Sequence, residues 1–164
     1  MTMATLEQVR AAIVARLETV PAIGRVHDRE RYTKNDVGFR ALYHWTAPDA
    51  EKPQVRGWFV VHRSTDRREP RLHRVSKADS WQISGLIEFE DSAAPDRALD
   101  PLIDAITDAF SDEPTLGGVV KSLFDQQSGE QALNGIQVLQ RQPVSFAGVL
   151  CVRVDLGLIT YRYT

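Results

Sequence analysis

A chain of 164 residues is long enough for one domain with a proper core and short for two. Lys plus Arg total 20 against 22 Asp plus Glu, and the formal charge of -2 excludes a whole-surface attraction to nucleic acid or to an anionic membrane. The single cysteine, Cys151, excludes an intramolecular disulfide framework, and no apolar run approaches the roughly 20 residues of a membrane-spanning helix. Glu7, Arg10 and Arg16 break up the first apolar positions, so no signal peptide is expected and the expected location is the cytoplasm.

Leu6, Val9, Ile13, Leu17 and Val20 recur at spacings of three and four, which predicts an amphipathic helix over the first 20 residues. Thr5 and Gln8 form a capping-box pair at its start, and Pro21 stops it. Residues 22–27 read as a short strand. A long polar stretch, 28–52, follows, interrupted by an aromatic segment at 39–45 that reads as a strand or an ordered loop; residues 48–53 are turn-rich. Residues 56–63 form a β-branched and aromatic strand, and 64–77 a charged connection. Over 80–90, Trp81, Ile83, Ile87 and Phe89 alternate with Gln82, Ser84, Glu88 and Glu90, which predicts a half-buried antiparallel strand.

Leu99, Leu102, Ile103, Ile106 and Phe110 mark a second helix. Pro101 leaves two options. Asp100 caps a helix with Pro101 at its first position, after a short turn beginning near Ser92, or a longer helix is kinked at Pro101. Glu113-Pro114 and Gly117-Gly118 end it. Residues 136–141 and 149–161 read as strands joined through 143–148, with Leu150, Val152, Val154, Leu156 and Leu158 on one face and Arg153, Asp155 and Gly157 on the other. The expected fold is α+β, an antiparallel or mixed sheet flanked by two main helices, with long loops, in a single domain over 1–164.

Catalytic signatures are missing from the sequence. There is no G-x-S-x-G elbow and no H-E-x-x-H, one cysteine makes no C-x-x-C site, and His27, His44, His62 and His73 form no i, i+4 pair. Thr115 to Ser122 has a superficial likeness to a phosphate loop, but Val120 stands where glycine must precede the lysine, so a Gly-Gly turn is the better reading. Neither catalysis nor a cofactor nor a metal is expected. Asp100, Asp104 and Asp108 share a helix face at i, i+4, i+8; such a row is a cation site, a solvated face, or a surface for a basic partner. A basic counterpart exists. Residues 62–77 carry Arg63, Arg67, Arg68, Arg71, Arg74 and Lys77 against Asp66 and Glu69, whereas from Glu88 to Glu113 nine acids accompany one base, Arg97. Patches of opposite sign suit head-to-tail packing of identical subunits, with solvated surface as the plain alternative.

Several phrases in order carry a resemblance: Ile13 to Leu17 closing on Val20-Pro21, then Gly24 to Asp28, the aromatic 39–45 segment, Arg56-Gly57-Trp58, Trp81-Gln82-Ile83, the Leu102 to Phe110 helix with Pro114 to Gly118 after it, and Gly148 to Cys151. In layout the chain resembles the tail-terminator (tail-completion) proteins of long-tailed phages over nearly its whole length. The resemblance implies a mixed sheet flanked by helices and a homo-oligomeric, typically hexameric ring on the head-proximal end of the tail tube. Such a ring ends tube polymerisation and offers a surface to neck and head-completion proteins. The implied partners are the chain itself, the tube protein and the neck proteins, with non-specific contact to passing DNA through the arginines; the implied location is the host cytoplasm during assembly and then the virion tail. Competing readings are another neck or tail-completion subunit, a small nucleic-acid-binding module using the 62–77 segment, and an enzyme with an unrecognised site.

Overall fold

Thr5 opens the first helix, α1 (Leu6–Glu18). Its hydroxyl accepts the Gln8 backbone N–H at 3.2 Å while the Gln8 side chain accepts that of Thr5 at 2.8 Å, so two donors of the open first turn are satisfied reciprocally. The structure, a computed structural model, describes residues 2–89, 95–123 and 135–164. After α1 come β1 (Arg25–His27), α2 (Asp36–Tyr43), β2 (His44–Trp45), β3 (Gln54–Arg71), β4 (Arg74–Glu88), α3 (Pro95–Asp112), β5 (Gln137–Phe146) and β6 (Val149–Tyr163). The six strands make one mixed sheet in the order β1-β3-β4-β6-β5, with β2 beside β3. Only β1 runs parallel to its neighbour. The fold is therefore α+β, dominated by the sheet.

Alternation along the strands sends side chains to two different covers. Trp58 and Val60 of β3, Trp81, Ile83 and Ile87 of β4, and Val152, Val154, Leu156 and Leu158 of β6 face α1 and α3, which contribute Val9, Ile13, Leu17, Leu102, Ile103, Ile106 and Phe110 to one large core. The opposite face has a smaller cluster at one end, where Tyr43 of α2 packs with Val55, Phe59, Leu86 and Cys151. Arg16 ties the two large helices together by donating to the Ala109 carbonyl at 2.6 Å. Gly24 lets β1 approach β3: its φ is +97°, and a Cβ there would lie 2.2 Å from the Arg56 carbonyl oxygen.

Several elements differ from the sequence expectation. The 39–45 segment is mostly helix: Asn35 caps α2 by accepting the Gly38 N–H at 2.7 Å, and Phe39 and Tyr43, four apart, both meet Phe146 edge-on. Residues 64–77 are no connecting loop. They continue β3 and β4 into one long hairpin that turns at Leu72-His73. Pro143 lies within β5, an edge strand where its missing N–H breaks no ladder, and the β5–β6 turn is only Ala147-Gly148. The short strand expected over 22–27 is confined to Arg25–His27. Pro101 is inside α3, so the longer-helix option holds over Asp100 as a cap; the turn placed near Ser92 lies outside the described residues. The two main helices lie on the same face, and Leu150 is half exposed instead of joining the buried set of β6.

Candidate functional site

The basic residues of 62–77 occupy the outer half of the β3–β4 hairpin. The ladder persists there although it pairs like charges, Arg67 with Lys77 and Arg71 with Arg74. Such pairs are unfavourable on their own, so the register is imposed by the buried stretch from Trp58 to Val60 and propagates outward. Arg63 falls at the irregularity between His62 and Ser64 and donates twice to the Gln82 side chain, at 2.9 and 2.6 Å. Arg67 is paired with Glu69. Arg68 is exposed, and at the tip Arg71 and Arg74 flank Leu72, which is 86% exposed.

The acidic residues stand on the side of α3 turned away from the sheet. Leu99, Leu102, Ile103, Ile106 and Phe110 fill the core, which leaves Asp100, Asp104, Asp108 and Asp112 on solvent. Asp100 accepts from Arg141 of β5 at 2.6 Å and helps fasten the helix to the sheet edge. Asp104 and Asp108 have no such partner among the described residues. Likewise, among the described residues no ion pair joins the hairpin set to the helix set within one chain. The predicted residues thus form two separate patches.

Beneath the hairpin lies a polar group that the charge runs did not indicate. Asp79, fully buried, accepts two bonds from Arg162 and one from the Thr65 hydroxyl at 2.6 Å, with the His62 ring 3.9 Å away. Arg162 also donates to the Ala4 carbonyl at 2.6 Å, just before α1. Trp81 donates its indole N–H to Thr160 at 3.0 Å, and Arg10 lies over the Trp81 ring. These contacts clamp the hairpin root between β6 and the start of α1. A signal existed: period two places Arg162 on the face of Val152 to Leu158, and an inward charge requires a partner.

On the opposite face, α2 covers only one end of the sheet. Beyond it β4 presents small residues, Ser76, Ala78 and Ser80. Their ladder partners flank them as walls, Ser64, Asp66 and Arg68 on β3 and Ile159, Tyr161 and Tyr163 on β6. The result is a trough with no described element packed over it. Toward β5 it continues into a groove of about 260 Å³ edged by Arg63, Gln82, Leu139, Gly157 and Ile159. Leu139 and Ile159 are 61% and 39% exposed.

The remaining motifs have local roles. Thr115 accepts the Gly118 N–H at 3.1 Å and donates to Glu113, while the Lys121 N–H donates to the Tyr161 carbonyl and Ser122 bridges to β6, so the Gly-Gly segment is a turn that leads chain back onto the sheet. His27 contacts the Leu42 carbonyl, His62 contacts Thr65, and His73 is in the hairpin turn. Among the described residues no three His, Cys, Asp or Glu side chains are grouped so that they could hold a metal ion, and no helix is long and apolar enough to cross a membrane. Comparison of the chain with family models and with curated proteins returns no match.

Proposed function

We propose that the chain is an assembly subunit of the tail-terminator kind, which forms a homo-oligomeric ring on the head-proximal end of a phage or prophage tail tube, stops tube growth and offers a joining surface to neck proteins. The observation that carries this reading is the separation of charge within one subunit: arginines along the outer hairpin, and Asp104 and Asp108 on the solvent side of α3. Two unlike patches on one subunit suit contact with a second copy at a different place, which is head-to-tail association. The resemblance in layout to tail terminators favours this among assembly roles. Function then resides in surfaces and needs no catalytic group or cofactor.

The test has two parts. Native mass spectrometry or light scattering over a range of concentration and salt should show a closed oligomer that salt weakens. Added to polymerising tube protein, the chain should cap tubes and shorten their length distribution. A chain that stays a monomer and leaves tube lengths unchanged sinks the proposal.

A further inference from the structure

We infer that Arg56, held against Trp45 at the start of β3, is a binding site for a carboxylate, supplied by a small acid or by an acidic side chain of a second copy.

The side chain is positioned from two sides. Trp45 of β2 stands opposite Gln54 of β3, and Arg56, two residues further on and on the same face, is its diagonal neighbour. The two residues of β2 thus bring the indole to the guanidinium, whose carbon lies over the ring 5.2 Å from its centre. On the other side, a Cβ on residue 24 would come within 2.8 Å of Arg56 Cγ, so glycine there leaves the room that the arginine stem occupies.

The charge itself is unanswered. Among the described residues no carboxylate lies within 4.0 Å of Arg56, and no hydrogen bond engages its guanidinium. Nε is shut off from solvent without an acceptor, the one side-chain nitrogen or oxygen in that condition among the described residues. The two Nη atoms, equally without an acceptor, are therefore the part that solvent reaches. Burial lowers the Arg56 pKa, and no neighbouring charge offsets it. Arg162, more deeply placed, has Asp79 and the Ala4 carbonyl to answer it. Methionine in place of Arg56 would pack on Trp45 and beside Gly24 without a desolvated charge.

What the guanidinium adds is a pair of donors in one plane that matches the two oxygens of a carboxylate. Trp45 and Gly24 order it in advance, so little freedom is lost when an anion arrives. One cation suits one carboxylate. A nucleic-acid backbone needs several along a groove, and the turn beside this site, Thr46 to Pro53, carries Asp49 and Glu51 against one Lys52. The site is at the opposite end of β3 from the hairpin arginines, so it stands apart from the assembly reading above.

Trp45 reports on this site, because Trp58 and Trp81 are 0% and 2% exposed whereas Trp45 is half-buried. Succinate, titrated at constant ionic strength, should change the tryptophan emission of the wild-type chain saturably. R56M and R56K should each weaken that response by about tenfold or more, the first through the lost charge and the second through the lost paired donors. Without succinate, R56M should unfold at the same urea concentration as wild type or a higher one. Emission that changes on dilution of the wild type without succinate, but not of R56M, assigns the carboxylate to a second copy; a response to succinate alone assigns it to a small acid. The inference is overturned by a wild type that responds to neither, by an R56M response equal to that of wild type, or by tighter binding of inorganic phosphate than of succinate. A lowered urea midpoint in R56M together with a full response in R56K would make Arg56 a packing residue and overturn it as well.

Discussion

Arg162 meets Asp79 in a two-pronged ion pair, Nε to Oδ2 at 2.5 Å and Nη2 to Oδ1 at 2.9 Å, with the arginine 5% and the aspartate 0% exposed. It lies where the apolar core ends and the hairpin continues, and it joins β4 to β6 and, through the Ala4 carbonyl, to the start of α1. A buried pair of this kind is costly to break because the surviving charge has no water to turn to. R162M should therefore destabilise the chain by about 3–5 kcal/mol in urea unfolding. T65V, which removes only a hydroxyl donor to the same carboxylate, should cost about 1 kcal/mol. An R162M variant within 0.5 kcal/mol of wild type, the usual range for surface changes, would show that the pair does not secure the hairpin root.

Gly85 and Gly157 give a contrast within one sheet. A Cβ on Gly85 would come within 2.6 Å of the Trp58 ring, which is fully buried and held by its indole N–H to the Ile23 carbonyl at 2.9 Å. The ring cannot yield without losing that bond, so G85A should cost about 1–3 kcal/mol as overpacking does. A Cβ on Gly157 meets only the far end of Leu139 at 3.3 Å, an exposed and flexible side chain. G157A should fall within about 0.5 kcal/mol of wild type. Equal costs for the two would contradict the packing argument.

Periodic apolar residues made α1 and most of α3 legible, because burial of one face leaves a repeat that can be read without coordinates. The capping box at Thr5 and Gln8 was legible for the same local reason. Phe39, Tyr43 and Trp45 were ambiguous: Phe39 to Tyr43 fits a helical spacing of four, while Phe39, Ala41, Tyr43 and Trp45 also fit the alternation of a strand, and only packing on Phe146 decides. The outer hairpin was hidden because past the core the β3 side chains meet solvent on both faces, so charge replaces alternation. The candidate patches were visible as charge runs. The trough was not, since it joins Ser76 and Ala78 to Tyr161 and Arg68 across three strands, and adjacency between strands is a property of topology.

Cys151 is fully buried in the smaller cluster beside Leu86 and Tyr43, and burial, with the nearby Glu88 carboxylate, pushes its thiol up to about 12. The thiolate is the reactive form, so it is scarce at neutral pH and also shielded from reagents. A thiol-specific maleimide should leave the native chain unlabelled over hours and label it stoichiometrically in denaturant. Rapid native labelling would mean that α2 opens from the sheet, since Tyr43 closes the same cluster.

His27 links that cover to β1. Its Nε2 lies 2.7 Å from the Leu42 carbonyl, which requires the nitrogen to carry hydrogen, and its ring packs edge-on against Tyr43. Burial holds its pKa below the ordinary 6.5, and the Arg31 and Arg25 charges lower it further, against the Leu42 bond and Asp28, which raise it. In the unfolded chain the ring takes up a proton near pH 6.5, whereas the folded chain resists it to lower pH. The contribution to stability is thus fully present above about 6.5 and declines as pH falls from there toward the folded value. H27Q keeps an amide donor for the Leu42 carbonyl and does not titrate. Urea midpoints of wild type should fall relative to those of H27Q as pH drops through this window, and the two should run parallel above it. Parallel curves over the whole range would show that His27 is solvated and that α2 is docked without it.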